Sequence, residues 1–258
     1  MNSLFMTAYK IELIKLIKRK DTLMLWLMPL LSLFYAVGVA VNSTMVTYNG
    51  TDSVDALSFI GSMSTLIHGL FIFYIIFAII TARSLGSEID DKSILFYIPR
   101  IRNRNTIYNA KCLSLITTLT VSFLIFILVT FIAYFTLVVQ RTDIANGLWF
   151  TTDTLLNNFG WILSVFLAFV FSMLLVLMLS ARFKTILSVC IFLFIFVALS
   201  FVSQFPYIQY LSPFYYISSI GQENTNSTVL ILLSVILCVL YSIVFNSIGK
   251  YTFSKKDL

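Results

Sequence analysis

Six long apolar runs dominate this sequence and restrict what it can fold into. They cover residues 23–41, 57–81, 112–139, 159–181, 185–203 and 228–248, and none contains Asp, Glu, Lys or Arg. A helix needs about 20 mostly apolar residues to cross the hydrocarbon core of a bilayer. Because these runs lack the alternating pattern of lipid-facing strands, they predict an all-α membrane protein with six transmembrane helices.

The composition favours a membrane protein over a soluble one. Of the 258 residues, 59% are hydrophobic and 11% are charged, against roughly 45–50% and about 25% in ordinary soluble domains. A globular core could not bury this much apolar surface. We therefore expect a single transmembrane domain over residues 1–258, surrounded by the lipid bilayer.

Basic residues are divided unevenly between the two sides that six spans define. Sixteen of the 17 Lys and Arg residues lie in the N-terminal segment, the 82–111 loop, the link between spans four and five, and the tail. The alternate loops carry only Arg141, together with five acidic residues. By the positive-inside rule, this predicts a multi-pass plasma membrane protein with both termini in the cytoplasm. Because the charge is spread over four membrane-flanking segments, it does not indicate a nucleic-acid partner.

The segment before the first span, residues 3–20, predicts an interfacial helix on the cytoplasmic leaflet. Ile11, Ile14 and Ile17 recur at helical spacing, with Glu12 on the far side, and no Gly or Pro interrupts the pattern. The alternative is a basic flank that only fixes the topology.

The spans lack the groups on which several mechanisms depend. Ion-coupled carriers and proton pumps usually place charged residues near the midplane, whereas here the only such candidate is His68. His68 fits a hydrogen-bonded packing group better than a proton relay. Ser62, Ser64 and His68 share one helix, which argues against an intramembrane protease. The sequence shows no metal-ligand cluster and no G-x-x-x-x-G-K-[ST] loop, so we expect no cofactor, no metal and no enzyme activity of this chain alone.

A charged segment, the 82–111 loop, separates spans two and three and predicts a short cytoplasmic helix. Gly86 can turn the chain, Ser87 can cap a helix with an acidic first turn, and the helix would run to about Tyr97, before Pro99. The residues expected to meet a soluble partner are Glu88, Ile89, Asp90, Asp91, Lys92, Ser93, Leu95 and Phe96. The alternative is an ordinary solvated loop with basic residues that fix the topology.

The order of motifs in this loop resembles that of the type-two ABC exporter permeases. Glu88 is followed by residues 91–95, then Pro99-Arg100, then Ala110-Lys111, and residues 253–258 resemble the aromatic-basic-Asp ending of that family. The resemblance implies that the loop helix is a coupling helix. It also implies two copies of a separate ABC ATPase, which would bind ATP and Mg, and a second permease copy in a homodimer or heterodimer.

The same resemblance implies a route for cargo between spans two and five. The lining residues would be Phe73, Phe77, Phe192, Phe196 and Leu199, and short re-entrant helices with Pro206, Tyr210, Pro213 and Phe214 would form an outer gate. Uncharged aromatic walls suit an amphipathic peptide, a lipid or a lipophilic drug. The alternatives are that the Phe stripes face lipid or pack, and that the outer aromatic loop lies unstructured at headgroup level.

The function expected from this resemblance is ATP-driven export of an amphipathic or hydrophobic substrate, such as a peptide toxin or antimicrobial peptide. In size and composition the chain is most similar to small peptide exporters of low-GC Gram-positive bacteria, such as phenol-soluble modulin exporters. Two other classes stay open at this point. One is a non-transporting accessory, immunity or sensor protein of the membrane, and the other is an intramembrane enzyme.

Overall fold

The computed structural model describes residues 2–41, 43, 53–96, 103–222 and 226–256. Within these ranges the chain forms nine α-helices and no β-strand. They are α1 Asn2–Lys18, α2 Leu27–Ala40, α3 Ala56–Gly69, α4 Ile72–Asp90, α5 Arg104–Ala133, α6 Leu155–Arg182, α7 Thr185–Val202, α8 Pro213–Ser219 and α9 Ser227–Lys255. Short 3-10 segments cover Lys20–Trp26, Ser93–Phe96 and Gln209–Leu211, and a π-helical turn, Tyr134–Val138, extends α5.

Among the described residues, six helical segments are long and apolar enough to cross a membrane, which confirms the predicted six-span, all-α architecture. They are Lys20–Ala40, Ile72–Asp90, Arg104–Val138, Leu155–Arg182, Thr185–Val202 and Ser227–Lys255. Helix α1 precedes them and covers most of the segment predicted as an interfacial helix.

The predicted second span, residues 57–81, is not one helix. It is divided between α3 and α4, and α4 continues nine residues beyond the predicted end, to Asp90. The chain leaves the α-helical conformation at Leu70, whose ψ is 94°, directly after Gly69, a poor helix former. The apolar character continues through the break, so hydropathy alone did not locate it.

Helix α6 is the centre of the bundle. It packs against α3, α4, α5, α7, α8 and α9. In its most apolar stretch of 18 residues, 72% of the residues are buried, compared with 11% in the corresponding stretch of α7. Gly160, Ser164, Ala168 and Ser172 recur every four residues along it, and all four are buried. Small residues at this spacing let helix backbones approach closely inside a membrane.

Polar contacts between the helices lie at two opposite ends of the bundle. At the Glu88 end, named after its buried acid, α1, α4, α5 and α7 are joined by ion pairs and hydrogen bonds, and Lys256 donates to the carbonyl of Ala181. At the Asp55 end, Asp55 binds Thr151, and the Tyr134 hydroxyl donates to the carbonyl of Val54.

Candidate functional site

A cluster of four charged side chains, two of them buried, joins three helices at the Glu88 end. Lys111 of α5 is 1% exposed, and its Nζ lies 2.7 Å from Glu12 Oε2 of α1 and 2.8 Å from Glu88 Oε2 of α4. Lys15 Nζ lies 3.1 Å from Glu12 Oε1 and 2.9 Å from Glu88 Oε1. Two carboxylates therefore face two ammonium groups, so the cluster carries no net charge.

The backbone of α4 completes the coordination of Lys111. The Lys111 ammonium donates to the carbonyl of Ser84 at 2.7 Å, in addition to its two carboxylate partners. A buried charge is costly unless it is paired and hydrogen-bonded. Lys111 satisfies that requirement with two hydrogen-bond acceptors, Glu12 and the Ser84 carbonyl, and an ion pair with Glu88, and it fixes α1, α4 and α5 at one point.

The cluster requires α1 to turn its acidic face inward. Ala8, Glu12 and Leu16, spaced four residues apart, are buried, and Ile11 and Ile14 are exposed. The sequence pattern had indicated that Glu12 lies on the outer, polar side of this helix, and that assignment is wrong. The reason is that the isoleucine stripe faces the exterior of the bundle, whereas Glu12 forms an ion pair with Lys111 inside it.

The expected separate helix beginning at Ser87 is also not present. Residues 87–90 form the last turn of α4, and the Ser87 hydroxyl donates to the carbonyl of Arg83 within that helix instead of capping a new one. Lys92 adopts a left-handed backbone with φ 56°, which turns the chain after α4. Only the 3-10 turn Ser93–Phe96 follows in the described part of the loop, and residues 97–102 lie outside the described residues.

The residues predicted to meet a partner divide into a group that packs against or binds other helices of the chain and an external group. Glu88 is in the ionic cluster, Ile89 is buried, and Asp90 Oδ2 accepts hydrogen bonds from the Thr185 backbone N–H at 3.1 Å and hydroxyl at 2.7 Å. Asp90 therefore caps the start of α7.

Asp91 and Lys92 form the external group, because both are exposed directly after the last turn of α4. Ser93 is half-buried, and its hydroxyl lies 3.4 Å from the carbonyl oxygen of Glu88. The structure describes the backbone of Leu95 and Phe96 but not their side chains.

The residues predicted to line a cargo route also form two groups, one buried and one half-buried. Phe73, Phe77 and Phe192 are buried, and the Phe77 ring packs 4.9 Å from the ring of Phe169 on α6. Phe196 and Leu199 are half-buried. In the single chain, Phe77 thus belongs to the core, whereas Phe196 reaches the surface between α4 and α7.

An open groove of about 320 Å³ lies beside Phe196. It is lined by Phe71, Phe196, Val197, Ser200, Phe201 and Gln204. The rings of Phe71 and Phe196 are 4.7 Å apart, and Tyr74 lies 4.6 Å from Phe196. Aromatic groups of α7 and of the start of α4 therefore meet at this groove, and of the five predicted route residues Phe196 lines it.

The outer aromatic segment is helical rather than unstructured. Ser212 caps α8 by accepting from the backbone N–H of Phe214 at 3.3 Å, and Pro213 occupies the first turn, where its missing N–H costs nothing. The Phe214 ring is buried 4.5 Å from Phe196. Pro206 and Tyr210 are exposed, and the Tyr210 ring packs 5.1 Å from that of Tyr215 on α8.

His68 is a packing residue of the same region. Its Nδ1 lies 2.7 Å from the Tyr74 hydroxyl, and its ring packs 5.7 Å from that of Phe214. This arrangement matches the hydrogen-bonded role that the sequence favoured over a proton relay.

The Asp55 end contains a second polar cluster, which the sequence analysis did not identify. Asp55 is buried, accepts from the backbone N–H of Ser58 at 2.6 Å and caps α3. Its other oxygen accepts from the backbone N–H and the hydroxyl of Thr151, each at 2.7 Å. Burial raises the pKa of Asp55, but these hydrogen bonds outweigh it and hold the pKa below its ordinary value.

Among the described residues, no group of three or more His, Cys, Asp or Glu side chains is arranged to hold a metal ion. The sequence matches no protein-family model and no curated protein.

Proposed function

We propose that this chain is the permease subunit of an ATP-binding cassette exporter, driven by a separate ATPase. The observation that carries the proposal is the continuity between the exposed pair Asp91-Lys92 and the neighbouring residues Glu88 and Asp90, whose side chains bind other helices. A force applied at Asp91 acts on α1 and α5 through Glu88, and on α7 through Asp90. This is the connection that a subunit driven from outside the membrane requires.

In this proposal the Glu88 end faces the cytoplasm, where the soluble ATPase and its ATP and Mg are found. The excess of Lys and Arg in the segments at this end supports that orientation. The ATPase binds the tip of the 82–111 loop through Asp91 and Lys92, and its closure on ATP displaces the end of α4. Because buried ion pairs hold α1 and α5 to α4, the three helices move together rather than separately.

The cargo class in this proposal is an amphipathic or hydrophobic peptide, as in the peptide exporters that the sequence resembles. The groove beside Phe196 offers uncharged aromatic walls between α4 and α7. Helix α7 is the most exposed of the six spans, and Phe194 and Phe201 project from it. A second permease copy packed on this helix would enclose the groove and complete a route.

The test is co-purification from the native membrane with a charge reversal at the exposed tip, Asp91→Arg/Lys92→Glu. The matched control is Asp153→Arg, an exposed acid in the loop before α6, at the Asp55 end. We expect a P-loop ATPase to co-purify in near-stoichiometric amount with the unmodified chain and with the control. The tip variant should lose it, and ATP-dependent export should be lost with it.

The opposite result would overturn the proposal. A chain that purifies without any ATPase in all three forms, from membranes in which it is functional, would indicate the non-transporting accessory class instead. An ATPase that stays bound to the tip variant would place the docking surface elsewhere than Asp91 and Lys92.

A further inference from the structure

A second groove, of about 330 Å³, lies between α1, the 3-10 segment Lys20–Trp26 and α5. Its lining includes Leu13, Ile17, Thr22, Trp26, Val121 and Ile125. The groove is open to the exterior of the bundle and is separate from the aromatic groove beside Phe196. Its volume lies at the lower end of the range of about 300–1,000 Å³ for ligand pockets.

We propose that this groove binds one acyl chain of an anionic phospholipid, with the phosphate at Lys18 and Lys20. The apolar lining matches a hydrocarbon chain, and α1 exposes Ile14 and Ile17 on the side that faces away from the bundle. Trp26, at the inner end of the 3-10 segment, is half exposed, as is typical of a residue at the headgroup level.

The charges of the segment that borders the groove match an anionic headgroup. Lys18 and Lys20 are exposed, whereas Arg19 between them pairs with Asp21 at 2.5 Å. Because Asp21 neutralises Arg19, the positive charge available to a phosphate is that of Lys18 and Lys20. Basic residues at a membrane surface attract anionic lipids in this way.

A polar atom in the groove wall also lacks a partner within the protein. The Oγ1 of Thr22 is buried and has no hydrogen-bond partner among the described residues. Buried hydroxyl groups are usually hydrogen-bonded. A glycerol ester carbonyl, which lies between the phosphate and the acyl chain of a phospholipid, is an acceptor of the kind that this hydroxyl lacks.

The experiment measures lipid binding to the purified full-length chain by native mass spectrometry. Dioleoyl phosphatidylglycerol and dioleoyl phosphatidylcholine are compared because they share both acyl chains and differ in net charge. We expect tighter binding of phosphatidylglycerol, by about fivefold for each of the two lysines. Lys18→Gln/Lys20→Gln should abolish this preference. The control Lys92→Gln/Lys184→Gln, a pair of exposed lysines outside the groove lining, should retain it.

A second pair of variants tests the acyl-chain position. Val121→Phe adds a ring to the groove wall, and Leu124→Phe adds the same ring to an exposed position of α5 outside the groove. We expect Val121→Phe to weaken binding of both lipids at least tenfold and Leu124→Phe to leave it unchanged. Thermal unfolding of each variant reports whether the fold is retained. If Val121→Phe does not fold, Ile125→Phe takes its place as the groove variant.

Two results would overturn the inference. One is equal affinity for the two lipids in the unmodified chain, because the lysines would then not select a headgroup. The other is a groove variant, folded Val121→Phe or Ile125→Phe in its place, that binds both lipids as tightly as Leu124→Phe does, because the acyl chain would then lie outside the groove. Neither result depends on whether the chain transports anything, so the lipid site and the proposed transport function are tested separately.

Discussion

The Lys111 ammonium group lies 2.7 Å from the Glu12 carboxylate, although 99 positions separate the two residues in the sequence. The pair fixes α1 to α5, and Glu88 extends the connection to α4. A contact of this kind makes the N-terminal helix a part of the bundle rather than a separate amphipathic segment. Its removal should therefore affect the whole end of the molecule.

We expect Lys111→Met to lower the free energy of unfolding by about 3–5 kcal/mol, because it leaves Glu12 and Glu88 buried with only Lys15 to neutralise them. Unfolding in mixed micelles measures the change. Lys10→Gln, an exposed lysine of α1, is the control and should have no measurable effect. In Glu12→Gln/Lys111→Met the loss should be smaller than the sum of the single losses, because the residues are in contact. Additive losses would show that the pair is not coupled.

The close approach of α6 and α9 predicts a second effect on stability. A Cβ atom at Gly160 would lie 2.8 Å from Ile231 Cδ1 and 3.2 Å from Ile220 Cγ2. Gly160→Ala should therefore destabilise the bundle by about 1–3 kcal/mol. Gly69→Ala is the control, because no atom lies within 4 Å of its added Cβ. Ile231→Val removes the nearest methyl group, so combining it with Gly160→Ala should restore part of the lost stability. If Gly160→Ala were as stable as the unmodified chain, the close packing of α6 and α9 would be contradicted.

The pKa of Asp55 predicts a dependence of stability on pH. The folded-state pKa is lower than the ordinary value of 3.8, so the folded chain holds this proton less tightly than the unfolded chain. The stabilisation from Asp55 is complete above about pH 5 and is lost as the pH falls through the folded-state pKa.

Asp55→Asn is the variant that tests this dependence. The amide replaces one acceptor oxygen and should leave the N–H and hydroxyl of Thr151 without their partner, at a cost of about 1–3 kcal/mol near neutral pH. Thermal unfolding between pH 3 and pH 7 should show the two proteins converging in acid. The exposed residue Asp153, changed to Asn, should follow the unmodified chain throughout.

The hydrogen bond between Thr185 and Asp90 predicts a local effect at the start of α7. Thr185→Val keeps the shape and removes the hydroxyl donor, and the expected cost is about 0.5–1.5 kcal/mol. Hydrogen exchange of the first turn of α7 should become faster. Thr185→Ser keeps the donor and should retain the protection of the unmodified chain. Equal exchange in the two variants would show that the hydroxyl does not hold α7 to α4.

Hydropathy predicted the number and approximate bounds of the spans, because the length of an apolar run is a local property of the sequence. It did not separate α3 from α4, since both sides of Leu70 are equally apolar. The stripe formed by Ile11, Ile14 and Ile17 was recognised, but lipid and protein interior are both apolar, so the stripe did not show which side of α1 faces the bundle.

The polar loop was misinterpreted for a related reason. Ser87 and Glu88 match the start of a helix, but nothing between Thr81 and Asp90 other than Gly86 prevents α4 from continuing. Glycine fits at position 86 of the helix because a Cβ atom there would lie 2.8 Å from Thr185 Oγ1 of α7. The signal that could have identified the central helix was present in the sequence: Gly160, Ser164, Ala168 and Ser172 have the spacing of a close-packed helix interface.

The break at Leu70 has a mechanical consequence for the chain between Asp55 and Asp90. A continuous helix over this distance would act as a rigid rod, and a tilt at one end would be transmitted in full to the other. With non-helical backbone at Leu70 between them, α3 and α4 have separate axes, so the two backbone dihedral angles of Leu70 can absorb a rotation of α4 at Asp90. The hydrogen bonds of Asp55 can then stay intact while the Glu88 end moves.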